Sequence, residues 1–209
     1  MNILGKSAVA LVAAVLLAPG GATPARSAEA AGGTLKNLQA AFNGESNANA
    51  RYVEFAKKAD AEGYGQVASL FRAAAKAEEI HAKAHAEVIR KLGGEPKADL
   101  QKVEPQSTKE NVEAALKGET YELETMYPDF IKTAKAEGVK DAVKTFSRAK
   151  FAEIEHAKFY AAALKDLESW KGKSKDFYVC SVCGYTMDLA PSGKCAICFA
   201  SKDKFLKVN

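Results

Sequence analysis

Histidine is scarce in this chain, with three in 209 residues. There is one tryptophan, and all four cysteines fall within the last thirty residues. No internal repeat or long low-complexity tract is present, which excludes a solenoid or a disordered linker protein. Charge of either sign is nearly balanced, with 30 Lys and Arg against 26 Asp and Glu. The lysines are scattered among acids, so no nucleic-acid surface is expected. Long apolar runs are also missing. Ala8 to Ala18 is a run of eleven, short of the ~20 residues that span a bilayer, so no stable membrane insertion is expected. A hydrophobic content of 47% supports one packed domain with a small appendage.

Residues 1–30 read as an export signal: Lys6 before the apolar run, then a small-residue tract around Ala25 to Ala30. Cleavage is expected after Ser27 or Ala30, by the general secretory route because no twin arginine is present. The mature protein would be periplasmic, or cytoplasmic if the segment is not such a signal. Lys6 and Arg26 are the only charges before Ala28, which leaves 28 bases and 26 acids.

Between Thr34 and about Leu167 the apolar spacing is helical, and turn signals cut it into four segments. The first spans about Leu35 to Glu62, the second Gln66 to Leu92, the third Thr108 to Ala136 with a disturbance near Tyr127-Pro128, and the fourth Val139 to about Leu167. The polar stretch Glu95 to Ser107 is long enough to run the length of a bundle. The fold expected for 31–168 is therefore mainly α, a ferritin-like four-helix bundle with a long central crossover. After a polar linker, residues 175–209 are rich in Gly, Cys and aromatics and too few to fold without a staple.

Each helix carries ionisable groups in its own apolar stripe. Glu45 follows Phe42; Glu78, His81 and His85 continue the face of Leu70, Phe71 and Ala74. Glu119 and Glu122 extend the face of Val112, Ala115 and Leu116, and Glu153 and His156 extend that of Phe146 and Ala149. Buried bare carboxylates cost several kcal/mol each, so five together demand cations. Two of the three histidines sit in Glu-x-x-His (Glu78 to His81 and Glu153 to His156), with both side chains on one helix face. This is the general di-metal carboxylate pattern. His85 is read as a satisfied core or rim histidine. Tyr52 and Tyr127 are placed either as core aromatics or as hydrogen-bond donors to the ligand carboxylates.

Cys180-x2-Cys183 and Cys195-x2-Cys198 form two knuckles able to close a tetrahedral S4 site. Iron and zinc both accept that geometry, and disulfides are the alternative in an oxidising compartment. Phe177, Tyr178, Tyr185, Phe199 and Phe205 are expected to form the module's small core.

Several stretches resemble the rubrerythrin family: Gly44-Glu45-Ser46 with Tyr52, Ala77 to Lys83, Gly118 to Glu122 followed by Met126-Tyr127-Pro128, Glu153 to His156, and Tyr178 to Tyr185. The resemblance covers about 35 to 209 and implies a di-iron bundle followed by a rubredoxin-like domain. It implies di-iron ligands at Glu45, Glu78, Glu119, Glu122, Glu153 and His156, with His81 exchanging with Glu122 as the oxidation state changes. Cys180, Cys183, Cys195 and Cys198 would hold one iron, with zinc as the alternative. The implied activity is reduction of hydrogen peroxide to water, protecting against oxidative stress, with electrons delivered through the cysteine site. A ferroxidase or iron-handling protein with a docking tail is the competing reading.

The chain departs from the family pattern in Cys195-Ala-Ile-Cys198, which lacks the usual proline, and in a slightly short spacer between the knuckles. An exported protein would also be cut off from a nicotinamide-linked reductase, leaving the donor unidentified, with a periplasmic cytochrome as one candidate. The run of α-helix beyond His156 places the cysteine site past the end of its own bundle. A head-to-tail homodimer is therefore expected, with transfer between chains.

Overall fold

The computed structural model describes residues 31–209; the export-signal expectation lies outside the described residues. Four long helical segments form the bundle: α1 (Gly32–Ala61), α2 (Gly65–Lys91), a third segment made of α3 (Thr108–Tyr121) and α4 (Tyr127–Ala136), and α5 (Lys140–Lys165). The third segment is interrupted by a π-helical turn at Glu122–Met126. A small antiparallel sheet of order β2-β1-β3 follows, built from β1 (Phe177–Cys180), β2 (Thr186–Met187) and β3 (Phe205–Val208). Tyr178 pairs with Met187 on one side and Lys207 on the other.

The helix spans expected from sequence match within a few residues. The irregular crossover between α2 and α3 runs alongside α1, whose amide side chains tie it down. Asn47 donates to the Asp99 carbonyl and accepts from Gln101 N–H, and Asn43 accepts from Asp99 N–H. These bonds satisfy backbone groups that a loop would otherwise leave unpaired. Ser107 and Glu110 then form a reciprocal capping box that starts α3.

The disturbance expected at Tyr127-Pro128 is the π-turn. Pro128 has no N–H to return to the carbonyl four residues back, so the ladder there is open to a wider turn. The extra residue shifts the faces of α3 and α4, and Tyr127 still points inward, fully buried.

Two apolar clusters fill the bundle and leave a polar layer between them. One contains Tyr52, Phe55, Phe71 and Tyr160; the other contains Leu38, Ile89, Tyr127 and Phe146. Ring centroids of Phe71 and Tyr160 are 5.4 Å apart, as are those of Phe55 and Phe71, within the range where aromatic pairs attract. The C-terminal sheet joins the first cluster through Phe177, which stacks edge-on against Phe159.

The linker does not carry the cysteine module away from the bundle. After a 3-10 turn at Leu167–Trp170 the chain doubles back, and Gly172 N–H donates to the Gly63 carbonyl. A Cβ on Gly65 would lie 2.2 Å from the Gly172 carbonyl oxygen, so only glycine lets the two backbones approach this closely. The module therefore packs on its own bundle, against α2 and α5, which corrects the separation expected from helix length alone. Phe199 is a second correction: it is 73% exposed, with φ of 60°, rather than part of the module's core. Tyr185 and Phe205 do pack against the cysteines.

Candidate metal centres

Glu45, Glu78, Glu119, Glu153, His81 and His156 are each at most 2% exposed and meet in the layer between the two apolar clusters. They form two overlapping groups whose ligand-type atoms lie within 4.8 Å of one another: Glu45, Glu78, His81 and Glu153, and Glu78, Glu119, Glu153 and His156. Glu78 and Glu153 belong to both. Glu78 turns Oε2 to His81 Nδ1 (2.8 Å) and Oε1 to His156 Nδ1 (3.5 Å). Glu153 turns Oε1 to His81 Nδ1 (3.0 Å) and Oε2 to His156 Nδ1 (2.6 Å). Two carboxylates thus lie between two positions, each completed by one more Glu and one His.

The donor set fits a pair of cations. Glu45 Oε2 and Glu119 Oε2 are buried without a hydrogen-bond partner, and Glu78 Oε1 and Glu153 Oε1 face histidine Nδ1 atoms at 3.5 and 3.0 Å without a well-formed hydrogen bond. Orphaned carboxylate oxygens at this depth are costly unless an ion takes them. Without metal, protons carry the compensating charge. Burial, reinforced by the charge of Glu153, raises the Glu78 pKa well above its ordinary range and that of Glu119 to about 7. Burial would lower His81 and His156, but Glu153 beside both drives them well upward instead. Burial likewise opposes ionisation of Glu153, yet His81 and His156 hold it low.

Tyrosines bond one oxygen of each of the two carboxylates that the groups do not share. Tyr52 donates to Glu119 Oε1 (2.5 Å), and Tyr127 donates to Glu45 Oε1. Both bonds run between helices, reaching carboxylates on elements other than their own. Glu122 is the predicted bundle residue left outside the grouped ligand atoms. It opens the π-turn and is only partly buried, so the arrangement has His81 in and Glu122 out. His85 is fully buried and stays out of both groups, as expected of a core histidine.

The four cysteines also converge, with Sγ atoms of Cys180 and Cys198, and of Cys183 and Cys195, each 3.6 Å apart. A tetrahedral site with metal–sulfur bonds of about 2.3 Å puts sulfurs roughly 3.8 Å apart, whereas a disulfide needs about 2.05 Å. All four are free thiols, and the disulfide alternative is set aside. The hydrogen bond from Cys183 brings Cys180 down to about 5, which favours the thiolate that binds metal.

The two centres touch through the first knuckle. His81 Nε2 donates to the Cys183 carbonyl at 3.1 Å, and His156 Nε2 faces Thr186 Oγ1 at 3.0 Å. Thr186 gives its own proton to the Gly184 carbonyl, so its oxygen accepts from His156. With both Nε2 atoms carrying protons, both Nδ1 atoms are the ones turned to the carboxylates and free for a metal. Gly184 makes this contact possible: its φ is +77°, and a Cβ there would stand 2.2 Å from His81 Nε2. Thr186 and Gly184 were missed in the sequence; the glycine after Cys183 was the available signal.

Comparison with known proteins agrees with this geometry. The rubrerythrin family model matches residues 36–164, and the rubrerythrin rubredoxin-like domain matches 178–206. Nigerythrin from Nitratidesulfovibrio vulgaris is 41% identical over 182 residues, covering 87% of this chain and 89% of its own. Rubrerythrin-2 from Clostridium acetobutylicum is 33% identical, covering 80% and 92%. The all-ferrous, fully reduced nigerythrin structure superposes with a TM-score of 0.77 at 40% identity, covering 83% of this chain and 86% of that one. A Desulfovibrio desulfuricans bacterioferritin structure gives 0.64 at 25% identity, covering 68% and 84%. With a di-iron site in its Glu/His cluster and a rubredoxin-like four-cysteine site packed against it, this chain belongs to the rubrerythrin family of oxidoreductases.

Proposed function

We propose that the protein reduces hydrogen peroxide to water, with electrons passing from the four-cysteine iron to the di-iron pair of the same chain. The observation that carries this reading is the hydrogen bond from His81 to the Cys183 carbonyl. It links a residue of one centre to a cysteine of the other through a single contact, so electron delivery needs no second chain. The reaction consumes one peroxide, two electrons and two protons and releases two waters. Iron held by this cluster would supply two electrons at once, the number that reduction of one peroxide to two waters needs.

In this reading Glu45, Glu78, His81 and Glu153 would hold one metal and Glu78, Glu119, Glu153 and His156 the other, with Glu78 and Glu153 common to both groups. Glu122 is the alternative ligand to His81. Tyr127 and Tyr52 hold Oε1 of Glu45 and Glu119, and Cys183 and Thr186 hold the histidine rings with Nδ1 inward. The flanking apolar clusters keep bulk water from the layer, which strengthens every charge interaction within it. The donor to the cysteine site is a separate reductant; with the N-terminal segment read as an export signal, we propose a periplasmic one.

A ferroxidase reading shares the bundle but gives the cysteine module no task, since oxygen itself would take up the electrons. The test is peroxide consumption by the purified iron protein with a chemical reductant, for wild type, Cys183→Ser and Glu153→Ala. Peroxidase function requires loss of turnover in both variants, with the visible absorbance of the ferric cysteine site retained in Glu153→Ala. Full turnover in Cys183→Ser would remove the electron-delivery role.

A further inference from the structure

His85 is the one histidine the two metal centres do not use, and its surroundings give it a task. Its Nδ1 lies 3.1 Å from Thr145 Oγ1 on α5, and its Nε2 lies 3.2 Å from Tyr127 Oη. Tyr127 in turn reaches Glu45 Oε1. Thr145, His85, Tyr127 and Glu45 therefore form one buried chain of hydrogen bonds across four helices, ending on a carboxylate of the di-iron site.

The direction of that chain is set by its outer end. Ser46, Ser69, Thr120 and Thr133 each give their hydroxyl proton to the carbonyl four residues back on their own helix. Thr145 makes no such bond among the described residues, so its proton is available for His85 Nδ1. An imidazole accepting at Nδ1 carries its proton on Nε2. That proton points to Tyr127 Oη, and Tyr127, whose single proton can serve one acceptor, must give it to Glu45 Oε1. The opposite tautomer would make Nε2 an acceptor competing with Glu45 for the tyrosine proton.

We infer that Thr145 and His85 are positioning residues that commit Tyr127 to Glu45 Oε1 and so reserve Glu45 Oε2 for the metal. Glu45 Oε2 is the oxygen buried without a partner. The two halves of the site differ in this respect. Tyr52 holds Glu119 in the same way, but the group beside it is Tyr160, a ring 5.9 Å away whose hydroxyl has no hydrogen-bond partner. One half of the centre thus has a locked carboxylate, and the other half one whose tyrosine is free of a tautomeric constraint.

The experiment reads tautomer and metal affinity separately from turnover. Nitrogen-15 NMR of the zinc-loaded full chain, labelled at its three histidines, should show His85 with Nδ1 unprotonated and Nε2 protonated. Thr145→Val removes the donor and should change the His85 nitrogen shifts. It should also weaken cobalt binding to the bundle by roughly tenfold, the low end of what outer partners of metal ligands cost. Cobalt bound by the cysteines should be unaffected, and Thr145→Ser should restore both readouts. A protonated Nδ1 in the wild type overturns the inference, and that spectrum decides alone if Thr145→Val does not fold. Unchanged cobalt affinity in a folded Thr145→Val protein also overturns it.

Discussion

Replacing Gly184 with alanine tests whether the contact between the two metal centres is needed. The new Cβ would start 2.2 Å from His81 Nε2 and must retreat about 1.2 Å to reach an ordinary 3.4 Å contact. His81 is packed among Glu45, Glu78 and Glu153, so the cysteine module has to move as a unit instead. A retreat of that size stretches the 3.1 Å bond between His81 and Cys183 beyond hydrogen-bond length. The left-handed backbone at φ +77° adds roughly 1–2 kcal/mol for a residue with a Cβ. The lost hydrogen bond adds about 1 kcal/mol. A total of ~2–3 kcal/mol lowers Tm by about 5–10 °C for a domain of this size. The four cysteines are not displaced relative to one another, so the visible absorbance of the ferric cysteine site should persist while peroxide turnover falls. Wild-type turnover and an unchanged Tm in Gly184→Ala would mean that the contact between the centres is not needed.

Glu153→Ala and Glu78→Ala each remove a carboxylate shared by both halves of the cluster, so iron analysis should find the bundle metal lost and the cysteine iron kept; unchanged iron per chain would contradict the assignment. Metal-free protein should lose stability as pH rises from about 4.5 to 7, because folded Glu119, raised to about 7, keeps a proton that the unfolded chain has released. The size is on the order of 3 kcal/mol for a shift of that extent. Glu78, His81 and His156, also raised, act in the same direction, whereas Glu153, held low, opposes it only below about pH 4.5. Zinc displaces those protons, so its stabilising effect should grow with pH, and thermal melts with and without zinc at pH 5 and 8 check both signs. N-terminal sequencing of the protein made in its native host should find a start near Ala28 or Ala31, and an intact Met1 would refute export.

The bundle and most of its site were legible because periodicity and chemistry conflict in the sequence. A Glu on the face of Phe42 or a Glu-His pair continuing the face of Phe71 is costly unless something binds it, and that cost locates the ligands. Tyr52 and Tyr127 were legible only as donors, not by partner. Their bonds to Glu119 and Glu45 cross between helices, and spacing along one helix says nothing about its neighbour. Thr145 was invisible for the same reason, being one hydroxyl among many in a helix. The placement of the cysteine module was misjudged because helix rise was extrapolated without the reversal at Trp170 to Gly172. That reversal depends on a backbone approach at Gly65, which no periodic pattern encodes. The exposure of Phe199 also escaped composition, since an aromatic in a small module reads as core.

One rapid-mixing experiment shows directly whether the two unlike iron sites of this chain work in series. Fully reduced protein is mixed with one equivalent of hydrogen peroxide, and the visible absorbance of the ferric cysteine site is followed in wild type and in Glu153→Ala. Peroxide should oxidise the cysteine iron in the wild type and leave it reduced on the same timescale in Glu153→Ala, which keeps that iron but lacks the bundle pair. Equal rates in the two proteins would mean that peroxide reaches the cysteine iron without the di-iron site, and that the two sites do not work in series.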